Sequence, residues 1–533
     1  MSLNKFLNYF FNSRLKKIIL FNKKIFKNID VKKDGIILCE ISNNSSNQIS
    51  FSHLLNLLKE KYECKAVAYQ NNYDQSLYQR IKFFLQKKLN YKVFSIYRSF
   101  NIDDFVLTIN TKNQNLLSKN KHQQILKDIK RKKDVLKIEI EGINIGDLIY
   151  DSYLKRCSKP TIDIESEDFS KILLLSLQNF YFWKLFFEKN IVNSIIVSHN
   201  CYIESLVVRV AAKKNIETFL CNWDNIHRID QKNLYPYSKY KFYRNDFRDL
   251  TAEQKKRGLN LAKQSIEKRF NDSDKSEDRV MFYSEKFSFH NQYSSATVLK
   301  KNKKKKILIA MHCFLDAPHG YDYFENNIFN DFFEWLIYLY DLSKKTNFDW
   351  YIKNHPSSIA KTDEILFKFL KDRTEFNLLS SNISHDQLIK EGIDCVLTVH
   401  GTIGWEYAYH QIPVINASIN NPHRLYDFNL HARNLKEYEK MILNFNRYEI
   451  NFDKKNIYEY FLVHNMLLRD TWLFDDYLKV IKEIGGYKNL GKLIFYDYWI
   501  EKFNYKLHNN ICSKLRKFLS SSDLYMKNYE VLT

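Results

Sequence analysis

The chain has 533 residues, 45% hydrophobic and 16% aromatic, with 83 Lys plus Arg against 61 Asp plus Glu and a net charge of +22. That much apolar material excludes a disordered chain, and the length exceeds what one core organises, so two or three domains are expected. The positive excess suits polyanionic partners such as anionic lipid, acidic glycans or nucleotides, whereas the lack of any zinc finger, RNP motif or basic zipper argues against nucleic acid.

Residues 1–33 interleave Phe10, Phe11, Ile18 and Ile19 with Arg14, Lys16 and Lys17. Such a basic amphipathic segment either lies on an anionic membrane face or packs on the body as a terminal helix. It has no signal-peptide cleavage pattern, and no stretch of the chain has the roughly 18 uninterrupted apolar residues of a spanning helix. A cytoplasmic protein, peripheral on the inner membrane at most, is expected. The eight cysteines are scattered without a CxxC pair, as buried thiols in a reducing compartment would be.

Strand and helix signals then alternate. Residues 35–41, 64–69, 105–109, 192–198 and 218–222 read as strands, and 51–62, 75–89, 128–141, 145–156, 169–189 and 202–214 as helices. A charged helical stretch (245–274) and a polar passage (275–306) ending in Lys303–Lys306 mark a boundary. Beyond it the alternation restarts, with strands at 307–311, 349–353, 395–399 and 413–415 and helices at 328–342, 365–371, 384–391, 405–410 and 434–445. The end is aromatic-rich and helical. Alternation of this kind predicts parallel sheets covered by helices. The expected domains are a basic N-terminal segment (1–33), two Rossmann-like domains (34–300 and 301–450) facing a cleft, and a helical C-terminal extension (451–533).

Four places carry chemistry. Residues 400–406 (HGTIGWE) follow a buried strand and open a helix. There Gly401 and Gly404 would let backbone approach a phosphate, Thr402 would donate a hydroxyl, and Glu406 would accept hydrogen bonds from a sugar or ribose. The alternative is an ordinary turn in which Thr402 caps the helix. Upstream, Lys353 and His355 end a strand stopped by Pro356, placed to meet charge on a departing nucleotide phosphate. The loop after 307–311 holds His312, Asp316 and His319, candidates for general base, phosphate contact or metal ligands, with metal the least favoured because no zinc spacing is present. In the first half, Asp147 and Asp151 share a helix face, where they either simply face solvent or repel one another so that one pKa rises, and His199 and Asn200 follow a strand as candidate acceptor contacts or as a helix cap.

Residues 353–356 (KNHP), 400–406 and Pro413 resemble donor-site motifs of GT-B glycosyltransferases of bacterial surface polysaccharides, nearest to capsule polysaccharide synthesis proteins. The likeness spans about 307–431. It implies two Rossmann-like domains, the nucleotide sugar on the second, the acceptor on the first, and no metal or other cofactor. It also implies that His355 contacts the nucleotide phosphate, that Gly401 and Thr402 line the phosphate turn, and that Glu406 holds sugar or ribose. The expected donor set is Lys353, His355, His400, Gly401, Thr402, Gly404, Glu406 and His312, the acceptor contacts are His199 and Asn200, and the base is Asp316 or Asp151. The expected partners are a nucleotide sugar, a glycan or lipid-linked acceptor and an anionic membrane surface. Two other functions fit the pattern: transfer of a polyol phosphate from a CDP-activated donor, and a non-catalytic glycan-binding or assembly factor.

Overall fold

Strands of a parallel sheet are buried on both faces and therefore need near-continuous apolar runs, as in IILCE and CVLT. The computed structural model describes residues 13–73, 76–271, 293–322, 325, 327–355, 358–468, 472–474 and 477–532. Pro356, the first twelve residues and most of the predicted polar passage (275–292) lie outside the described residues.

The strands are β1 (Ile36–Glu40), β2 (Lys65–Gln70), β3 (Asp104–Leu107), β4 (Glu139–Ile140), β5 (Ile143–Asn144), β6 (Val192–Val197), β7 (Glu217–Cys221) and β8 (Ile226–Ile229) in the first half. In the second half they are β9 (Lys306–Ala310), β10 (Asp349–Lys353), β11 (Phe376–Leu379), β12 (Cys395–Thr398), β13 (Val414–Asn416) and β14 (Leu430–His431). β4 and β5 pair as a small hairpin. The rest form two six-stranded sheets, ordered β3-β2-β1-β6-β7-β8 and β11-β10-β9-β12-β13-β14. Every neighbouring pair is parallel except β7 with β8. Both sheets thus repeat one doubly wound plan, whose strand order reverses at β1/β6 and at β9/β12, where such sheets bind ligands outside the strands' carboxyl ends. Two such domains with a helical C-terminal part make a GT-B-like fold.

Helices Gly146–Cys157, Glu167–Lys189 and Leu206–Lys213 cover one face of the first sheet. The other face is shared between helix Ser45–Tyr62 and the chain's end: Phe51, Leu55 and Phe219 pack in one core with Trp499, Leu515 and Phe518. The C-terminal helices thus return to the first domain.

Three features differ from expectation. The helix predicted at 128–141 lies earlier, at Lys112–Asp128, held by a Thr111–Gln114 capping box. Its mostly polar sequence buries only Gln114, Ser118 and Ile125, too little for a periodic signal. Residues 132–140 instead contain a five-residue helix and β4. Strands β8 and β11 escape prediction because polar residues interrupt their short apolar runs (IHRI and FNLL), and β14 because it is only two residues long.

Buried polar contacts tie the domains together. His319, in the loop after β9, donates through Nδ1 to Asp151 Oδ1 at 2.6 Å, and its backbone N–H reaches Oδ2 at 3.3 Å. Tyr150 donates to Asp331 at 2.6 Å. Asp147 turns elsewhere, to Arg209 (2.5 Å) and the Tyr235 hydroxyl (2.9 Å). The two acids expected to repel one another are thus each given a partner. Burial pushes Asp151 up to about 6 although His319 opposes it. Burial pulls His319 down, but the carboxylate beside it more than offsets this and leaves its pKa raised.

Both shifts are upward, so the folded state keeps protons that the unfolded chain releases. Stability should fall as pH rises, from about 4 to 6 through Asp151 and above about 6.5 through His319. Replacing only His319 with Gln leaves a buried carboxylate without its cation and should lower unfolding free energy by about 3–5 kcal/mol. The double variant Asp151→Leu/His319→Leu should recover most of that loss and flatten the pH slope, both read by urea denaturation across pH.

Candidate active site

At the β9/β12 reversal one imidazole joins the two strands. His312, just past β9, accepts the Val399 N–H at Nε2 (3.2 Å) and lies 3.0 Å from Thr398 Oγ1. A ring nitrogen that accepts carries no proton, so the proton sits on Nδ1. The ring stacks on Phe332 at 4.7 Å and meets the His400 ring at 4.7 Å. Burial, then repulsion from His400 and His355, holds it well below the ordinary histidine value.

Gly401 gives its N–H to Thr398 Oγ1 at 3.2 Å. A Cβ there would come within 2.8 Å of the same oxygen, so glycine at 401 is set by close packing on the Thr398–His312 pair. Gly404 is buried, and a Cβ would lie 2.6 Å from His423 Nδ1, so this glycine seats the helix Ile403–Tyr409 on the following loop. Thr402 occupies the cap position of that helix but makes no side-chain cap bond, so the ordinary capping alternative is not what the structure has. Glu406 is buried in an ion pair with Arg269 at 2.5 Å, which fastens helix Ala252–Asn271 to the second domain.

At the end of β10, Lys353 is buried and donates to the Ser381 carbonyl at 3.0 Å. Burial lowers its pKa to about 8, with Glu406 pulling the other way. His355 is exposed, yet the surrounding protein and then Lys353 lower its pKa, while Asp316 opposes them. His385 joins the group, bonded through Nδ1 to the Tyr407 hydroxyl at 2.7 Å and held well below its ordinary value by burial, Lys353 and His355. Burial also lowers His400 to about 4 against Asp316. Four imidazoles and a lysine thus converge near the carboxyl ends of the second sheet, depressed by desolvation and in part by mutual repulsion. Among the described residues, no group of three or more His, Cys, Asp or Glu is arranged to hold a metal ion.

Asp316 is exposed and looks both ways. Its Oδ1 accepts from Ala317 N (2.9 Å) and from the Tyr202 hydroxyl of the first domain (3.4 Å). His199, His355 and His400 all feel its charge. His199 is exposed and bonded to the Tyr237 hydroxyl at 2.6 Å; the cleft walls lower its pKa although Asp316 and Glu204 oppose this. Asn200, by contrast, is buried and braces the Leu234 carbonyl at 2.7 Å. Asp151 is 2% exposed with both oxygens on His319, so of the two expected bases only Asp316 is open to a substrate.

Sequence reasoning missed Tyr202, His385, Arg269 and Glu40. Tyr202 holds φ 65° and ψ −179°, a strained conformation for a bulky side chain, at the point where its hydroxyl meets Asp316. Glu40 closes β1 and takes both Ser198 N–H (2.6 Å) and Ser198 O–H (2.7 Å), bridging β1 to β6 as His312 bridges β9 to β12. Burial raises its pKa despite those bonds. A carboxylate ending an otherwise apolar strand was the available signal. Beside it lies a cavity of about 350 Å³ at the ends of β1, β2 and β3, lined by Glu40, Tyr69, Asn71, Tyr73, Phe83 and Glu204 among others.

No protein-family model matches the chain, and no curated protein does. Solved structures similar to it include a UDP-GlcNAc 2-epimerase from Neisseria meningitidis bound to UDP-GlcNAc, 9% identical over 81% of this chain and 98% of that one, with a TM-score of 0.25. A UDP-GlcNAc 2-epimerase from Methanocaldococcus jannaschii is 11% identical over 80% and 97%, with a TM-score of 0.22. The wall teichoic acid polymerase TagF is 10% identical over 98% and 100%, with a TM-score of 0.21.

Gly401→Ala should drive a methyl into Thr398 Oγ1 and lower stability by about 1–3 kcal/mol. Adding Thr398→Ala should restore part of the loss, which urea denaturation of the single and double variants will show.

Proposed function

We propose that the chain is a metal-independent glycosyltransferase that moves a sugar from a nucleotide-sugar donor to a glycan or lipid-linked acceptor in surface polysaccharide synthesis. The observation that carries this reading is Asp316, an exposed carboxylate set between His199 and Tyr202 of one domain and His355 and His400 of the other.

In this reading the acceptor lies on the first-domain side of the cleft, near His199 and the cavity beside Glu40. Asp316 takes the proton of its attacking hydroxyl as the bond to the anomeric carbon forms. The bond from that carbon to the nucleotide phosphate breaks, and the phosphate keeps the electron pair. Imidazole N–H groups of His355 and His400, the backbone amides of Thr402 and Ile403 in the turn at 401–403, and the charge of Lys353 receive the developing anion. Gly401 keeps His312 and Thr398 in place beneath that turn. Glu406 and Arg269 hold the helix that follows it.

The same cluster would serve transfer of a polyol phosphate from a CDP-activated donor, because a nucleotide phosphate also leaves in that reaction. The four imidazoles gathered there favour keeping this second reading. Thermal shift with CMP, CDP, UDP and GDP separates the branches: CMP alone points to a Kdo or sialic-acid donor, CDP to the polyol phosphate, and UDP or GDP to a hexose. No response to any of them would contradict both readings.

Asp316→Asn should cut turnover by about a hundredfold or more while leaving the nucleotide-induced thermal shift intact. His355→Ala should instead weaken that shift. Lys353 carries its charge only below about 8, so nucleotide affinity should fall as pH rises through that value. Lys353→Met should bind more weakly and lose that pH dependence, as measured by isothermal titration calorimetry.

A further inference from the structure

We infer that the helix Leu77–Lys88 is a docking face for an anionic lipid bilayer. Ser76 caps the helix, and none of its residues is buried. Leu77, Tyr78, Ile81, Phe84 and Leu85 are 48–70% exposed. At 100° per residue these five positions fall within an arc of about 120°. Most large apolar side chains of this chain are buried, so five of them together on one exposed helix face need a partner.

The helix is firmly seated on its other side. Phe83 packs against Phe94 at 5.3 Å between ring centres, and Lys87 pairs with Asp104 at 2.5 Å and donates to the Phe105 carbonyl at 3.1 Å. The apolar arc therefore lies opposite the side that Phe83 and Lys87 attach. Lys82 and Lys88 stand exposed beside and within it, and the whole chain carries a net charge of +22.

An apolar arc edged by lysines matches a bilayer whose headgroups are anionic: the rings and branched chains enter the acyl boundary while the lysine heads stay among the phosphates. Two copies of this face set against one another would oppose lysine to lysine, which disfavours self-association as the occupant. The placement also has a consequence for the site. Gln79, Lys82, Phe83 and Gln86 of the same helix line the cavity beside Glu40, so a docked helix sets that cavity at the lipid surface, with Lys82 at its rim. The inference goes beyond the transferase reading and does not depend on it, because a chain that binds no nucleotide can still dock.

Flotation of the full chain with vesicles tests it. Vesicles of phosphatidylcholine with phosphatidylglycerol should carry the protein, pure phosphatidylcholine should carry far less, and added salt should weaken binding. Ile81→Ser/Phe84→Ser/Leu85→Ser should lower partitioning at least about tenfold, and Lys82→Glu/Lys88→Glu should lower it on anionic vesicles. The unfolding temperature should hold in both, because none of these side chains is buried. The inference is overturned if the wild-type chain ignores anionic vesicles, if either variant binds them as the wild type does, or if sedimentation shows this face joining two copies without vesicle binding.

Discussion

The hydrogen bond from His319 to Asp151 sets the geometry on which the proposed site depends. One loop leaves β9 and carries, within eight residues, His312 at the strand reversal, Asp316 in the cleft and His319 in the first domain's interior. Because His319 is buried against Asp151, the loop is tied at both ends to different domains. Asp316 lies between the ties and can therefore contact the Tyr202 hydroxyl while remaining near His355 and His400. Tyr150 with Asp331 ties the same two domains at another point. A change of domain angle would have to break buried polar bonds, which penalises intermediate geometries more than an apolar interface would.

The second domain gathers basic groups and keeps most of them discharged. His312, His355, His385 and His400 all lie below the ordinary histidine pKa, first through burial and, for three of them, through one another or Lys353. Neutral imidazoles still donate N–H hydrogen bonds, and they avoid the repulsion that several adjacent cations would cause in a low dielectric. An incoming phosphate would reverse this balance by stabilising protonated forms. At the corresponding reversal of the first domain a carboxyl group, Glu40, rather than a neutral histidine bridges the strands. The symmetry of the two folds is thus paired with a difference in the bridging side chain.

Much of the architecture was legible because buried parallel strands leave plain apolar runs; β10 was read with its observed bounds, and β6 and β12 to within one residue. What escaped notice was short or polar, such as β11 and the helix Lys112–Asp128. The sequence drew attention to the loop after β9 and to His355 and His400, since histidines next to strand ends stand out. It did not reveal how each polar side chain spends its bonds. Asp151 and Asp316 read alike as carboxylates, yet one is buried against His319 and the other is exposed. Gly401 and Gly404 read as room for a phosphate, whereas the structure fills the space at Gly404 with His423 and that at Gly401 with Thr398. Tyr202 had no local signal at all, since its importance comes from a backbone conformation and a partner 114 residues away.

The most direct test of the central claim, that the carboxyl ends of β10 and β12 form one phosphate site facing Asp316, is a crystal structure of the chain soaked with each of the four nucleotides. The account predicts phosphate density within about 3 Å of the His355 or His400 imidazole or the Thr402 and Ile403 amides, with the Asp316 carboxylate left facing the open side of the cleft. A nucleotide bound away from these residues, or density absent with all four at millimolar concentration, would contradict it.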